Sequence, residues 1–194
     1  LLADLMPNDP EVLGLAALIA YTLSRSDARI VNGLFVPLED QDPHLWDPDL
    51  IERASAYLTR AQSAGAIGRF QIEAAIQAVH ADRVSTGGIN WEALAQLHFG
   101  LSHIAPTIGA TVGFAAALGK ASGPEHGLNV IDQIDPKVLA TFAPAQATRA
   151  YLFKALGRDY DAEMAYERAI ALTTEPTLRQ YLETKRAELL AKPN

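Results

Sequence analysis

Apolar residues recur along most of this chain at helical spacing. Between 47 and 64 they fall at Leu50, Ile51, Ala54, Tyr57, Leu58 and Ala61, a one-sided stripe at i, i+1, i+4, i+7, i+8 and i+11. Phe70, Ile72, Ala75, Ile76 and Val79 repeat the pattern over 69–83, and Ala162, Ala165, Tyr166, Ala169 and Ile170 repeat it over 159–172. The starts are punctuated. Asp9-Pro10-Glu11, Asp47-Pro48-Asp49, Gly123-Pro124-Glu125 and Glu175-Pro176 each put a capping or flexible residue before a proline at the first helical position, where its missing N–H has no partner to lose. Asn90 before Trp91-Glu92 is a similar cap. The pattern predicts helices near 9–24, 47–64, 67–83, 90–104, 106–120, 124–134, 143–157, 159–173 and 175–191.

One stretch breaks the rhythm. "ARIVNGLFVPLEDQD" at 28–42 sets β-branched and aromatic residues around Asn32-Gly33, a dipeptide suited to a two-residue hairpin turn. Its arms are short, so a small β-hairpin or extended insertion is expected on an all-α framework.

The helices also repeat. In a 34-residue tetratricopeptide-type unit, small residues sit where helices cross and aromatic residues fill the gaps. Ala162 and Ala169 take the small positions and Tyr166 the aromatic one; in the preceding helix Phe153 and Ala150 match. A step of 35 residues back reaches Gly127, with Ile131 in the aromatic slot and Ala115 and Leu118 in the partner helix. A further step of 33 reaches Leu94, and Pro106 takes the unit-ending position. Such hairpins bury their apolar faces by stacking, so the expectation is one superhelical array of antiparallel helix pairs over 1–194.

Composition narrows what the array does. With 49% hydrophobic residues among 194, a core can be buried. No cysteine is present, which excludes a disulfide framework or thiolate zinc site and fits a reducing, cytoplasmic setting. A net charge of -7 argues against binding nucleic acid through phosphates. No apolar run reaches the ~20 residues that span a bilayer. The chain opens on Leu1, consistent with a piece of something longer.

The chain carries no recognisable catalytic or cofactor motif. "GFAAALGKAS" at 113–122 spaces its glycines wrongly for a phosphate loop, and Ala121 follows Lys120 where Ser or Thr is needed. His44, His80, His98, His103 and His126 form no His-Glu-x-x-His pair. Glu39, Asp40 and Asp42 cluster beside the hairpin without the glycine and distal glutamate of a calcium loop, and read as a solvated loop or an acidic contact patch. No nucleophile elbow is recognisable. The expectation is a protein without enzymatic activity, cofactor or metal.

Several segments together resemble one family. They are "LLADLMPNDPEVLGLAALIAY" at 1–21, "LEDQDPHLWDPDLIERASAYLTRA" at 38–61, "RFQIEAAIQAVHAD" at 69–82, "NWEALAQLHFGL" at 90–101 and "RAYLFKALGRDYDAEMAYERAIAL" at 149–172. In order and nearly throughout, they resemble the C-terminal tetratricopeptide-like extension of a class of bacterial extracytoplasmic-function RNA polymerase sigma factors, of the sigma-70 family. The resemblance implies a regulatory domain in transcription initiation. It would act through contact with the sigma regions of the same parent chain, with RNA polymerase core, or with a separate regulatory protein. Some positions depart from the family: Thr111 and Val112 stand where an Asn-Arg pair is usual, Gln146 where His is expected and Tyr151 where an acid is common, while Arg149 is kept. Candidate partner contacts are Glu39, Asp40, Asp42 and Trp46 near the insertion, Gln71 and His80 on one helix, and Arg149. Trp46 reads first as core, and Gln71 and His80, nine apart, fall on different helix faces. The alternative is a stand-alone tetratricopeptide scaffold that binds a peptide in its groove; a third class, a sensor or enzyme with a site between helices, finds no support in the residues.

Overall fold

The computed structural model describes residues 2–191 and is mostly helical. In chain order the elements are α1 (Leu2–Leu5), α2 (Pro10–Leu23), α3 (Ser26–Arg29), β1 (Ile30–Val31), β2 (Leu34–Phe35), two 3-10 turns at Leu38–Asp40 and Pro43–Leu45, α4 (Pro48–Gln62), α5 (Arg69–Ala81), α6 (Arg83–Thr86), α7 (Trp91–Ile104), α8 (Ile108–Ser122), α9 (Pro124–Ile131), α10 (Pro136–Leu139), α11 (Ala143–Ala155), α12 (Asp159–Leu172) and α13 (Pro176–Leu190). Each long helix expected from periodicity is present. The one-turn helices α1, α3, α6 and α10 were not expected, because four residues are too few to carry a 3.6-residue period.

The caps work as their chemistry requires. Asp9 Oδ1 accepts from Glu11 N at 2.9 Å and Val12 N at 3.0 Å, Asp47 Oδ1 from Leu50 N at 3.0 Å, and Asn90 Oδ1 from Ala93 N at 3.0 Å. β1 and β2 pair as a small antiparallel hairpin. Its turn holds Asn32 at φ 53° and Gly33 at φ 78°, the double left-handed conformation that Asn-Gly tolerates and most residues do not.

The chain divides into two compact units. One comprises residues up to Val31 together with Val36–Pro106; the other comprises Asn32–Phe35 and the residues from Thr107 onward.

In the first unit α2 packs on α4 and α5, and α5 on α7. The core is built largely from alanine, with Ala17, Ala20, Ala28, Ala54, Ala74 and Ala81 packed around Tyr21, Trp46 and Leu58. Small side chains let backbones approach. At Gly14 the approach is complete: a Cβ there would lie 2.7 Å from Gln71 N. One turn earlier, Glu11 caps α5 from outside that helix. Its carboxylate accepts from Phe70 N at 3.0 Å and from Gln71 N at 3.3 Å. The residue at the α5 N-cap is Gly68, which has no side chain to cap with, and a Cβ there would collide with that carboxylate.

In the second unit α8 packs on α9, α11 on α8, α9 and α12, and α12 on α13. Ala115, Ala150, Ala162 and Ala169 are fully buried, with Phe153, Tyr166 and Ile131 filling the spaces between them. Gly127 lets α9 meet α8: a Cβ would sit 2.6 Å from Ala115 O. Gln146, 1% exposed, spends its amide on Leu139 O at 2.8 Å. Phe35, counted in this unit, meets the Tyr181 ring edge-on at 5.6 Å between centroids.

These contacts predict the cost of enlarging a small residue. Ala162→Leu, Ala169→Leu and Gly127→Ala should each destabilise by about 1–3 kcal/mol, because the added methyls meet packed atoms or backbone. Thermal and urea melts measure this, and melts equal to the wild type would contradict the packing.

Candidate functional site

The 38–46 segment follows the hairpin and belongs to no helix pair. Pro37 just before the segment and Pro43 within it, with Glu39, Asp40 and Asp42 around them, favour turns over a continued helix, and the segment folds as the two 3-10 turns. Asp42 caps the second turn, its Oδ1 accepting from His44 N at 2.9 Å. A turn of this length satisfies few of its own carbonyls, so the remainder need outside donors.

Arg83 supplies them. It stands at the start of α6, directly after α5, and is only 8% exposed. Its Nη1 donates to Glu39 O at 2.7 Å, and its Nη2 donates to Gln41 O. Its guanidinium lies over the Trp46 ring, 4.7 Å from the centroid. The neighbouring Gln41 side chain turns inward as well, and its Nε2 donates to Val36 O at 3.1 Å. Burial pushes the Arg83 guanidinium down from its ordinary value, and the charges of Asp40, Glu39 and Asp42 push it back up. Arg83, Gln41 and Trp46 each also keep one buried polar atom, Nε, Oε1 and Nε1 respectively, with no hydrogen-bond partner. The outcome is a segment anchored from beneath by one buried cation, with Glu39, Asp40 and Asp42 exposed.

The expected contact residues thus fall in four places. Glu39, Asp40, Asp42 and Trp46 gather around Arg83, and Trp46 is a core residue at 5% exposure. Gln71 is buried at the start of α5, where its Nε2 donates to Ala66 O at 2.6 Å and Glu11 Oε1 at 3.3 Å. It also borders a cleft of about 260 Å³ lined by Leu58, Ile67, Ile72, Leu97 and Gly100. His80 lies at the far end of α5, edge-on to Trp91 at 6.3 Å, with Nδ1 buried and unpartnered. Burial, with Arg25, His98 and Arg83 as neighbouring cations or titrating groups, pushes the His80 imidazole down to about 4. Arg149 belongs to the second unit, 3.7 Å from Asp132 and stacked on Phe153 at 5.3 Å.

Sequence reasoning missed Arg83 and Gln41. Charge near the acids was available as a signal, since Arg83 is the first basic residue after α5, but its burial becomes visible only in the fold. Among the described residues no group of three or more His, Cys, Asp or Glu side chains could hold a metal, and no helix is long and apolar enough to cross a membrane.

Residues 1–62, which include the hairpin and the 38–46 segment, match a family of unknown function (DUF6596). Over 194 residues the chain is 36% identical to the uncharacterized protein R00370 of Rhizobium meliloti (strain 1021), an alignment covering 100% of this chain and 46% of that protein. The chain therefore spans about half the length of the curated relative it matches. No solved structure matches.

Two outcomes follow from the site. Arg83→Met removes both carbonyl bonds while keeping much of the side-chain bulk. It should destabilise the 38–46 segment by roughly 1.5–3 kcal/mol, read as faster amide exchange of residues 38–46 and a changed Trp46 emission. Unchanged exchange would show that the arginine does not hold the segment. For His80, the folded value near 4 lies below the unfolded value of about 6.5. The stability it contributes is therefore present above pH 6.5 and is lost as pH falls from there towards 4, by on the order of 2–3 kcal/mol. His80→Phe should flatten that part of the stability–pH curve, and an unaltered slope would contradict the assignment.

Proposed function

We propose that this chain is the regulatory, protein-contacting region of a bacterial extracytoplasmic-function sigma factor, and that it controls the sigma regions of its parent chain during transcription initiation. The observation that carries this reading is the 38–46 segment. Helix pairs can stack without it, yet a buried arginine and a buried tryptophan are committed to holding it, with three carboxylate residues outward. An acidic, pre-ordered surface suits docking to a basic partner, because little entropy is lost on binding and opposite charge steers the encounter.

Two further facts support it. More than half of the Rhizobium relative lies outside the aligned region, which leaves room for sigma regions in a protein of that length. The packing suits a tetratricopeptide-like array: α2 touches both its own partner α4 and the next first helix α5, and α11 likewise touches α12 and the preceding α8. In this reading the chain performs no reaction itself, needs no cofactor, works in the cytoplasm, and contacts the sigma regions, RNA polymerase core or a separate regulatory protein.

The apolar cleft bordered by Gln71, with Gln62 and Gln96 on its rim, favours a second reading as a scaffold for a peptide. The two are separated by the size of the native protein and by a binding assay. Antibodies to this chain should detect a species roughly twice its 20.9 kDa. The chain, added back to the separated sigma regions, should bind them, and E39K/D40K/D42K should weaken binding by about tenfold or more. A native species of 20.9 kDa with no binding to sigma regions would leave the scaffold reading in its place.

A further inference from the structure

A second polar cluster lies at the end of α2, and none of the contacts described above explains it. Arg25 follows that helix and is partly buried. Its Nε donates to Tyr21 O at 3.2 Å and its Nη2 to Gln77 Oε1 at 2.6 Å. Gln77 and His80 are one turn apart on α5 and share a face. Because the Gln77 carbonyl is turned to Arg25, its Nε2 is left as a donor, and no bond from it is formed among the described residues. His80 and His98 each hold a buried Nδ1 without a partner.

The groups that act on Arg25 and His80 are cations or histidines. No carboxylate pairs with Arg25 among the described residues. The neighbours that act on it most are Arg29 and Arg83, and those that act on His80 are Arg25, His98 and Arg83. Asp82, beyond the end of α5, acts on Tyr21 instead. Burial, followed by Arg29 and Arg83, pushes the Arg25 guanidinium down to about 10. A partly buried cation without a counter-charge carries a desolvation cost, and Gln77 Nε2 beside it donates to no acceptor among the described residues.

We propose that Arg25, Gln77 and His80 form a binding site for a carboxylate group. The carboxylate accepts a charge-assisted bond from the Arg25 guanidinium and further bonds from Gln77 Nε2 and a His80 N–H. A monoanion fits better than a phosphate dianion. Arg83, the other buried cation, is already committed to Glu39 O and Gln41 O and flanked by acids, and the whole chain carries a net charge of -7. The carboxylate comes from an Asp or Glu side chain of a protein segment or from a small free acid. The inference goes beyond the regulatory reading and does not depend on it: the site can bind a carboxylate whether or not sigma regions bind elsewhere.

The test is an NMR titration of the 194-residue chain with sodium acetate, against sodium chloride at equal ionic strength, following the Arg25 Nε–H and His80 ring signals. Acetate should shift both signals saturably, with a midpoint of about 10–100 mM, and should raise the pH at which His80 titrates, since a nearby anion favours the imidazolium. Chloride should do neither. Arg25→Gln should abolish saturation, and Gln77→Leu, which leaves the Arg25 bond to Tyr21 O intact, should weaken it severalfold. A blocked peptide carrying one glutamate forms a second arm. Saturation by both probes assigns the site to a protein side chain, and saturation by acetate alone assigns it to a small free acid. Non-saturating shifts, shifts equal to those in chloride, or a midpoint unchanged in Gln77→Leu would overturn the proposal, and the last of these needs no folded Arg25→Gln protein.

Discussion

The junction of α2 with α5 is the constraint on which the first unit turns. Gly14 removes the side chain that would hold the two backbones apart, and Glu11 supplies the cap that α5 cannot provide from Gly68. Both act at the N-terminal end of α5. The rest of that helix is thereby aimed: Gln77 and His80 face Arg25, and the chain leaves α5 with Arg83 beneath the 38–46 segment. A shift of α5 by a fraction of its pitch would separate Arg83 from the two carbonyls it holds, since hydrogen bonds weaken steeply beyond about 3.2 Å.

The unit also divides its cations by role. Arg83 is buried and satisfied chiefly by backbone carbonyls and an aromatic face, with acids close enough to offset its burial. Arg25 is partly buried and faces other cations. His80, between them, stays neutral over the ordinary pH range because burial and both arginines oppose its protonation. One arginine orders a surface by holding its backbone, and the other ties the end of α2 to α5 through Tyr21 O and Gln77 Oε1. Order in the acidic segment therefore comes from beneath, while Glu39, Asp40 and Asp42 offset the burial of the anchoring cation and Asp42 adds a cap to His44 N.

Much of the fold was legible in the residues. Long helices announce themselves by a 3.6-residue period and by Asp-Pro or Asn caps, and Asn32-Gly33 announces a turn with φ positive at both positions. The one-turn helices were not legible because no period fits inside them. The site was legible by half. Glu39, Asp40, Asp42 and Trp46 stood out by type and clustering, yet nothing local distinguishes Arg83 or Arg25 from the other surface-type basic residues. Their roles come from contacts over tens of residues, 44 to Glu39 and 52 to Gln77. Gln71 shows the converse: it stood out within a motif, and its amide is used to close the corner between Ala66 and Glu11.

The regulatory reading is tested most directly by run-off transcription with RNA polymerase core and the parent protein in three forms: intact, lacking this region, and carrying E39K/D40K/D42K. Removing the region should change promoter-dependent output severalfold, and the charge-reversed protein, assayed below its own melting temperature, should behave like the truncated one. Equal output from all three forms would contradict it.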